Sequence, residues 1–163
     1  MSAPDAEGRH LTLSIAAEPF DSPDPRRLIA ALDAGLAALY PPEQRFGPNL
    51  KPEHLAGGGG VFLVARDGGR AVACGALRFL DPSTAEVKRM YAEPDQRGKD
   101  VAWAVLSNLE ATGRERGMKR LVLETGVHQP AAINLYRRAG FVQVDCWGEY
   151  LTASTSICFE KRL

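Results

Sequence analysis

Alternation of apolar and polar residues in the first half of the chain predicts β-strands. Such alternation places every second side chain on one face of a sheet. It indicates a first strand over residues 10–15 and a later one over 85–92. Between them, the runs 61–66 and 71–80 flank a turn at 67–70 that contains two glycines, which is typical of a β-hairpin.

Leucines at helical spacing predict a helix between the first strand and the hairpin. The series comprises Leu28, Leu32, Leu36 and Leu39. Asp24 and Pro25 suit the N-cap and first helical position, and the pair at 41–42 is Pro-Pro, which ends a helix. Residues 43–60 are expected to be irregular, with a short helix near 52–56 and a mobile glycine run over 57–60.

The second half of the chain alternates helices with strands. Apolar positions predict a helix over 101–116 that stops at Gly117, and then a buried parallel strand over 119–125. A helix opened by Pro130 ends at Gly140 and Phe141, and strands near 141–147 and 155–161 follow. The order β-α-α-β-β-β-α-β-α-β-β has no repeat and no linker. It predicts an α/β (mixed α+β) fold with one mixed sheet in a single domain over 1–163, of which 1–9 are expected to be flexible.

Composition excludes several classes of function. The 163 residues include 20 basic and 20 acidic ones, so no net field favours nucleic acid or an anionic membrane. Apolar runs are too short to span a bilayer, and the first ten residues lack the apolar centre of a signal peptide. We therefore expect a cytoplasmic protein that binds neither nucleic acid nor membrane.

The cysteines and histidines carry no recognisable ligand or disulfide pattern. Three widely spaced cysteines, Cys74, Cys146 and Cys158, predict buried reduced thiols rather than a disulfide framework. The three histidines lack ligand spacing, so no metal site is expected.

A basic loop follows the strand over 85–92 and leads directly into the next helix. A helix start presents unpaired backbone N–H groups and partial positive charge, which suit a pyrophosphate. Gly98 allows close approach of the backbone, while Arg97 and Lys99 add positive charge. By itself this loop is also compatible with an ordinary basic surface turn.

A second motif, over residues 129–141, makes the pattern specific. It contains Asn134, the pair Leu135-Tyr136 and a Gly-Phe stop. With the R-x-x-G-x-G/A pattern that begins at Arg97, it resembles the GCN5-related N-acetyltransferase (GNAT) family over roughly residues 10–163, most strongly over 85–141. The resemblance implies acetyl-CoA as co-substrate and a sheet of about seven strands with about four helices, splayed between the fourth and fifth strands.

The resemblance also implies roles for individual residues. Glu86 falls at the position of a general base and Tyr136 at that of a general acid. The backbones of Met90 and Ala92 would receive the pantetheine arm, and the Met90 N–H would face the thioester oxygen. The implied cofactor-binding set is Met90, Tyr91, Ala92, Arg97, Gly98, Lys99, Asp100, Val101, Ala102, Gln129 and Asn134. For Glu86 the alternative is a solvated edge residue, and for Tyr136 it is simple core packing.

Two residues depart from the family pattern. Gln129 replaces asparagine and keeps an amide donor and acceptor. Asp100 replaces glycine, so its carboxylate would cap the helix and compete with a phosphate, unless its side chain turns to solvent.

The expected function is transfer of an acetyl group from acetyl-CoA to a primary amine of a small molecule, amino acid or peptide by direct attack. A non-catalytic acyl-CoA-binding or regulatory module is the first alternative, and a domain for another phosphorylated ligand is the second. The partners expected are acetyl-CoA and an amine acceptor, and a homodimer is compatible with the resemblance.

Overall fold

A seven-stranded sheet forms the centre of the computed structural model, which describes residues 12–44 and 50–163. The spatial order is first, second, third, fourth, fifth, seventh, sixth, and only the fourth and fifth strands run parallel. The predicted mixed α/β fold is thereby confirmed. The strands are β1 Leu13–Ala17, β2 Gly60–Asp67, β3 Arg70–Phe79, β4 Thr84–Ala92, β5 Arg120–Gly126, β6 Val142–Val144 and β7 Ser156–Arg162.

Within the described residues, four α-helices cover the two faces of the sheet. The helices are α1 Pro23–Leu39, α2 Pro52–Leu55, α3 Val101–Glu115 and α4 Pro130–Arg138. On one face, α3 and α4 bury their apolar sides in the main core, where Leu109 and Tyr136 pack with Leu77 of β3. On the other face, Leu28 of α1 packs in a smaller core that includes Cys74. None of the helices in the described residues is long and apolar enough to cross a bilayer.

The start of α1 differs from its prediction by two residues. Ser22, not Asp24, is the N-cap, and its extended backbone leads into Pro23. The Asp24 carboxylate instead accepts a hydrogen bond from the Arg66 guanidinium at 2.9 Å, so a tertiary partner uses the predicted cap. Residues 10 and 11, expected in β1, and residues 1–9, expected to be flexible, lie outside the described residues.

The irregular segment before the hairpin contains the predicted short helix, α2. A 3-10 turn over Ala56–Gly58 follows it, and Gly57 and Gly58 both have positive φ. The predicted mobility of the glycine run stays a prediction.

Strands β4 and β5 pair over only three residues each. Thr84–Glu86 of β4 align with Arg120–Val122 of β5. Beyond this short ladder β4 continues to Ala92 and β5 to Gly126 without pairing with each other. The fourth and fifth strands therefore diverge toward their carboxyl ends, as the family resemblance implied, and leave a cleft between them.

The prediction of three reduced thiols is wrong for two of the cysteines. Cys146 and Cys158 form a disulfide with 5.2 Å between their Cα atoms. The antiparallel register places Val144 of β6 opposite Cys158, which returns the chain beside Cys158 and brings Cys146 within bonding reach. Cys74 is free and buried, as predicted. Cysteine spacing therefore gives no support to a reducing compartment.

We predict that Cys146→Ser lowers the free energy of unfolding by about 2–3 kcal/mol in non-reducing buffer. The disulfide closes a loop of sequence separation 12 and so restricts the unfolded chain. Urea unfolding of parent and variant, with and without a thiol reductant, measures the effect. The two proteins should converge once the reductant is present. Equal stabilities in both buffers would show that the two sulfurs are not joined.

Candidate active site

A β-bulge in β4 shapes the wall of the cleft. The register between β3 and β4 shifts between Cys74 and Ala76, and Arg89 adopts a left-handed backbone with φ of 57°. Opposite the bulge stands Gly75, where an added Cβ would lie 2.6 Å from the Met90 sulfur. Glycine at this position therefore lets Met90 turn into the core, a requirement that the local sequence does not signal.

Backbone groups of β4 point into the cleft after the bulge. The Glu93 N–H donates to the Val72 carbonyl of β3 at 2.9 Å. Because N–H directions alternate along a strand, those of Ala92 and Met90 point to the opposite edge, where β5 has diverged. The Tyr91 side chain packs beside the smaller core and donates to Glu93 at 3.4 Å.

The predicted phosphate loop leads into α3 with two left-handed residues. Gly98 has φ of 81° and Asp100 has φ of 58°. The Ala104 N–H donates to the Asp100 carbonyl at 3.0 Å, so the earlier N–H groups, including those of Val101 and Ala102, precede the first α-helical bond. Arg97 and Lys99 lie beside these groups in the chain. The loop therefore presents donors and positive charge at the end of β4.

Asp100 occupies the N-cap position of α3, but its side chain does not cap the helix. Its side chain makes no capping hydrogen bond and is 71% exposed. The carboxylate lies 3.9 Å from the guanidinium of Arg138, which in turn stacks over the Trp103 ring at 5.0 Å. The structure agrees with the alternative in which the side chain turns to solvent, because the left-handed backbone leaves the carboxylate on the solvent side of the loop.

Helix α4 places Tyr136 in the main core. Its ring contacts Phe141 and Phe159 at centroid distances of 5.8 and 6.3 Å. Burial raises the pKa of Tyr136, and the charge of Glu124 adds to the shift. Within the described residues its hydroxyl has no hydrogen-bond partner, although the ring is packed on all sides. Tyr136 therefore has a core-packing role, and its hydroxyl is available as a donor.

The two amide residues of the second motif differ in environment. The Gln129 Oε1 accepts hydrogen bonds from the Gly126 N–H at 3.0 Å and from the Tyr40 hydroxyl at 3.3 Å. Gln129 thus ties the end of β5 to the residue that follows α1. Asn134 is exposed on α4.

Glu86 is buried rather than solvated, so the edge alternative is wrong. It is 5% exposed because β4 is a central strand, with Arg78 opposite on β3 and Val122 opposite on β5. Tyr150, from the connection between β6 and β7, donates its hydroxyl to Glu86 Oε2 at 2.9 Å. The Lys88 ammonium lies 3.8 Å from the same oxygen.

Lys88 and Glu124 are the first residues beyond the β4–β5 ladder that lie on the same face of the sheet as Glu86. They stand two positions after Glu86 and Val122, the last aligned pair. Burial lowers the pKa of Lys88, and the charge of Glu86 partly opposes that shift. Burial raises the pKa of Glu124, although its hydrogen bond from Ser156 at 3.1 Å and the charge of Lys88 act in the other direction.

Sequence reasoning missed three residues of this cluster: Lys88, Glu124 and Tyr150. A signal existed for two of them. Lys88 shares the strand face of Glu86, and Glu124 is a lone carboxylate directly after the apolar run 121–123. Tyr150 gave none, because its contact with Glu86 spans 64 positions of the chain. Among the described residues, no three His, Cys, Asp or Glu side chains are grouped to hold a metal ion.

We predict that Asp100→Gly raises the free energy of unfolding by up to about 1 kcal/mol. Glycine adopts the left-handed backbone without a Cβ clash, and no side-chain cap is lost. For a chain of this length the melting temperature should rise by about 2–4 °C per kcal/mol. Asp100→Ala is the matched control, since it removes the carboxylate but keeps the Cβ. A glycine variant that melts no higher than the alanine variant would contradict this account of the loop.

Comparison with known proteins agrees with this geometry. The model of the Acetyltransferase (GNAT) family matches residues 33–141. An IAA acetyltransferase of Azospirillum brasilense is 38% identical over 138 residues, which are 84% of this chain and 89% of that protein. A crystal structure of a candidate acyl-CoA N-acyltransferase from Klebsiella pneumoniae is 33% identical, with a TM-score of 0.79 over 93% of this chain and 98% of that one.

A more distant structure shares the fold with a ligand in place. It is a GNAT family acetyltransferase from Elizabethkingia anophelis with acetyl-CoA bound, 17% identical, with a TM-score of 0.69 over 93% of this chain and 98% of that one. The family match covers more than half of the chain, and the splayed strands, the phosphate loop and the α4 motif all lie within it or at its edge. This chain belongs to the GNAT family of acetyl-CoA-dependent N-acetyltransferases.

Proposed function

We propose that this protein transfers an acetyl group from acetyl-CoA to a primary amine of a small molecule, amino acid or peptide. The observation that carries the proposal is the cleft between β4 and β5. Backbone donors and a helix start lie along one side of it, and a buried carboxylate cluster with Tyr150 lies on the other face. A thioester and an amine brought from the two faces would meet between the strands.

The chain offers two sets of groups that would hold the co-substrate. The N–H groups that open α3, together with the charges of Arg97 and Lys99, suit the pyrophosphate. The free edge of β4 at Met90 and Ala92 suits the amide groups of the pantetheine arm, which can pair as a short strand. We assign supporting roles to Gln129 and Asn134 at the start and middle of α4.

Acetyl-CoA supplies an activated acetyl thioester. The Met90 N–H would stabilise the negative charge that develops on the thioester oxygen during attack. The Tyr136 hydroxyl would donate a hydrogen bond to the departing sulfur. Because burial raises its pKa, Tyr136 holds its proton firmly and stabilises the thiolate mainly as a hydrogen-bond donor.

Direct attack by the amine fits the state of the cysteines. The Cys74 thiol donates to the Arg89 carbonyl at 3.4 Å, and burial raises its pKa to about 12, so it is a poor nucleophile. Cys146 and Cys158 are joined to each other. We therefore propose transfer without an acyl-cysteine intermediate.

The acceptor amine arrives as an ammonium ion and must lose a proton before it attacks. We propose that Glu86 and Glu124 receive this proton together. Glu124 is half-buried at the mouth of the cleft, whereas Glu86 lies deeper and is held by Tyr150. The charge of Glu86 contributes to the raised pKa of Glu124, so the two carboxylates are electrostatically coupled. A base with a raised pKa matches the task near neutral pH.

The proposed location is the cytoplasm, where acetyl-CoA is available as a metabolite. In a reducing cytoplasm the Cys146–Cys158 pair would be open to reduction, and acetyl transfer should then proceed in the presence of a thiol reductant.

We predict that the protein releases coenzyme A from acetyl-CoA only when a suitable amine is present. A thiol-release assay against primary amines, amino acids, short peptides and the IAA named for the Azospirillum relative would identify the acceptor. Tyr136→Phe should lower kcat but leave acetyl-CoA binding unchanged, because the ring contacts remain and only the hydroxyl is lost. Acetyl-CoA binding by calorimetry with no turnover on any acceptor would instead favour a non-catalytic binding module.

We further predict that Glu124→Gln and Glu86→Gln each lower kcat/KM about 100-fold and flatten its acid limb. A base acts only when deprotonated, so the rate rises with pH through its pKa, which burial of Glu124 places above the ordinary value. Deprotonation of the acceptor amine itself also contributes to the pH dependence of kcat/KM, and this contribution is the same for all variants.

Glu160→Gln is the matched control for these two variants. Glu160 lies on β7 on the same face, but its carboxylate pairs with Arg120 at 3.1 Å, where β4 and β5 are still aligned. A parental profile for Glu86→Gln would reduce Glu86 to a structural partner of Tyr150. A parental profile for both glutamine variants would reject the carboxylate mechanism.

A further inference from the structure

We propose that Cys74, Arg89 and Asp33 form a positioning unit that fixes the peptide group between Arg89 and Met90. This inference rests on the proposed function, in which the N–H of that peptide faces the thioester oxygen. None of the three side chains is proposed to touch the substrate. Their role is to hold one backbone donor at a fixed angle, which a flexible bulge could not do.

The backbone of Arg89 requires such support. A non-glycine residue at φ of 57° is strained, and such conformations persist only where the surroundings enforce them. The bulge also interrupts the ladder to β3, because the register shifts here and the partners of the flanking residues are Ala76 and Cys74. The regular register that sets peptide orientation along the rest of the ladder is therefore broken at the Arg89–Met90 peptide.

Cys74 supplies one constraint, at the carbonyl end of this peptide. Its Sγ donates to the Arg89 oxygen at 3.4 Å. In a planar trans peptide the C=O and the next N–H point in opposite directions. Fixing the Arg89 carbonyl toward β3 therefore directs the Met90 N–H away from β3 and into the cleft. Burial keeps the thiol protonated, so the donor is present across the physiological pH range.

Arg89 supplies the second constraint through its side chain. Its guanidinium is 12% exposed and donates to the Asp33 carboxylate of α1 at 2.6 Å. The bulge also places Arg89 beside Lys88, and the charge of Arg89 contributes to the lowered pKa of Lys88. Helix α1, which packs on this face of β3 and β4, is thereby tied to the oxyanion donor.

Five variants separate the positioning role from a packing role. Cys74→Ala removes the donor, while Cys74→Ser loses similar volume but keeps a hydroxyl donor. Arg89→Gly accommodates the positive φ but loses the anchor to α1. Asp33→Asn removes the carboxylate charge from an exposed helix position, and Asp21→Asn is its matched control on the turn before α1.

Two measurements apply to each variant: steady-state kinetics, and the amide resonance of Met90 in ¹⁵N-labelled protein. We expect Cys74→Ala and Arg89→Gly to lower kcat about tenfold, with the KM for acetyl-CoA within twofold of the parent. The phosphate loop and Ala92, which would bind the co-substrate, are unchanged. Asp33→Asn should lower kcat about threefold, while Cys74→Ser and Asp21→Asn should stay within twofold.

The resonance makes the inference testable even if no acceptor is found. The Met90 amide should shift in Cys74→Ala, Arg89→Gly and Asp33→Asn, and should stay near its parental position in Asp21→Asn. An unshifted Met90 amide in the first two variants would overturn the positioning unit, whatever the activity. So would equal kcat values for Cys74→Ala and Cys74→Ser. If the Met90 amide shifts as expected in the variants but the parent protein transfers no acetyl group, the positioning unit stands and the proposed function is rejected.

Discussion

The short pairing of β4 with β5 is the constraint on which the rest of the site depends. Once the ladder ends at Glu86 and Val122, the inner edges of both strands carry backbone groups without a partner from the other strand. Such groups are costly to bury unpaired, so the divergence is stable only where water or a ligand can reach them. The free edge that results is a binding surface made of main chain, and its geometry is set by the sheet.

The divergence also gives the site two chemically different faces. On the α3 and α4 side lie the helix start and Tyr136, which is packed among aromatic rings. On the α1 side lie Glu86, Lys88 and Tyr150, joined by short polar contacts. The charge of Glu124 acts on both faces, because it contributes to the raised pKa of Tyr136 on one face and of Tyr150 on the other. A single carboxylate at the mouth of the cleft thus couples the two halves electrostatically.

Two long-range connections hold the α1 side of the site together. The disulfide attaches the start of the β6–β7 connection to β7, and Tyr150 lies within the segment that it encloses. The ion pair between Arg89 and Asp33 attaches α1 to the bulge. The disulfide restricts the unfolded chain, whereas the ion pair, in which the Asp33 side chain is 55% exposed, adds little net stability; both connections favour one arrangement of these elements. At this site, the arrangement determines where a donor and two carboxylates stand relative to the cleft.

The sequence determined the elements, their order and the two family motifs. Apolar periodicity, proline and glycine are local signals, so α3, the hairpin and α4 lay close to their predicted bounds, and the Arg97 and Tyr136 motifs indicated the family. Only the tertiary structure decided which distant groups meet. The Cys146–Cys158 bond depends on strand register, the Tyr150–Glu86 contact on a loop that returns across the sheet, and the bulge at Arg89 on a glycine in the neighbouring strand. Each arises from contacts between residues far apart in the chain, and local propensity carries no information about such contacts.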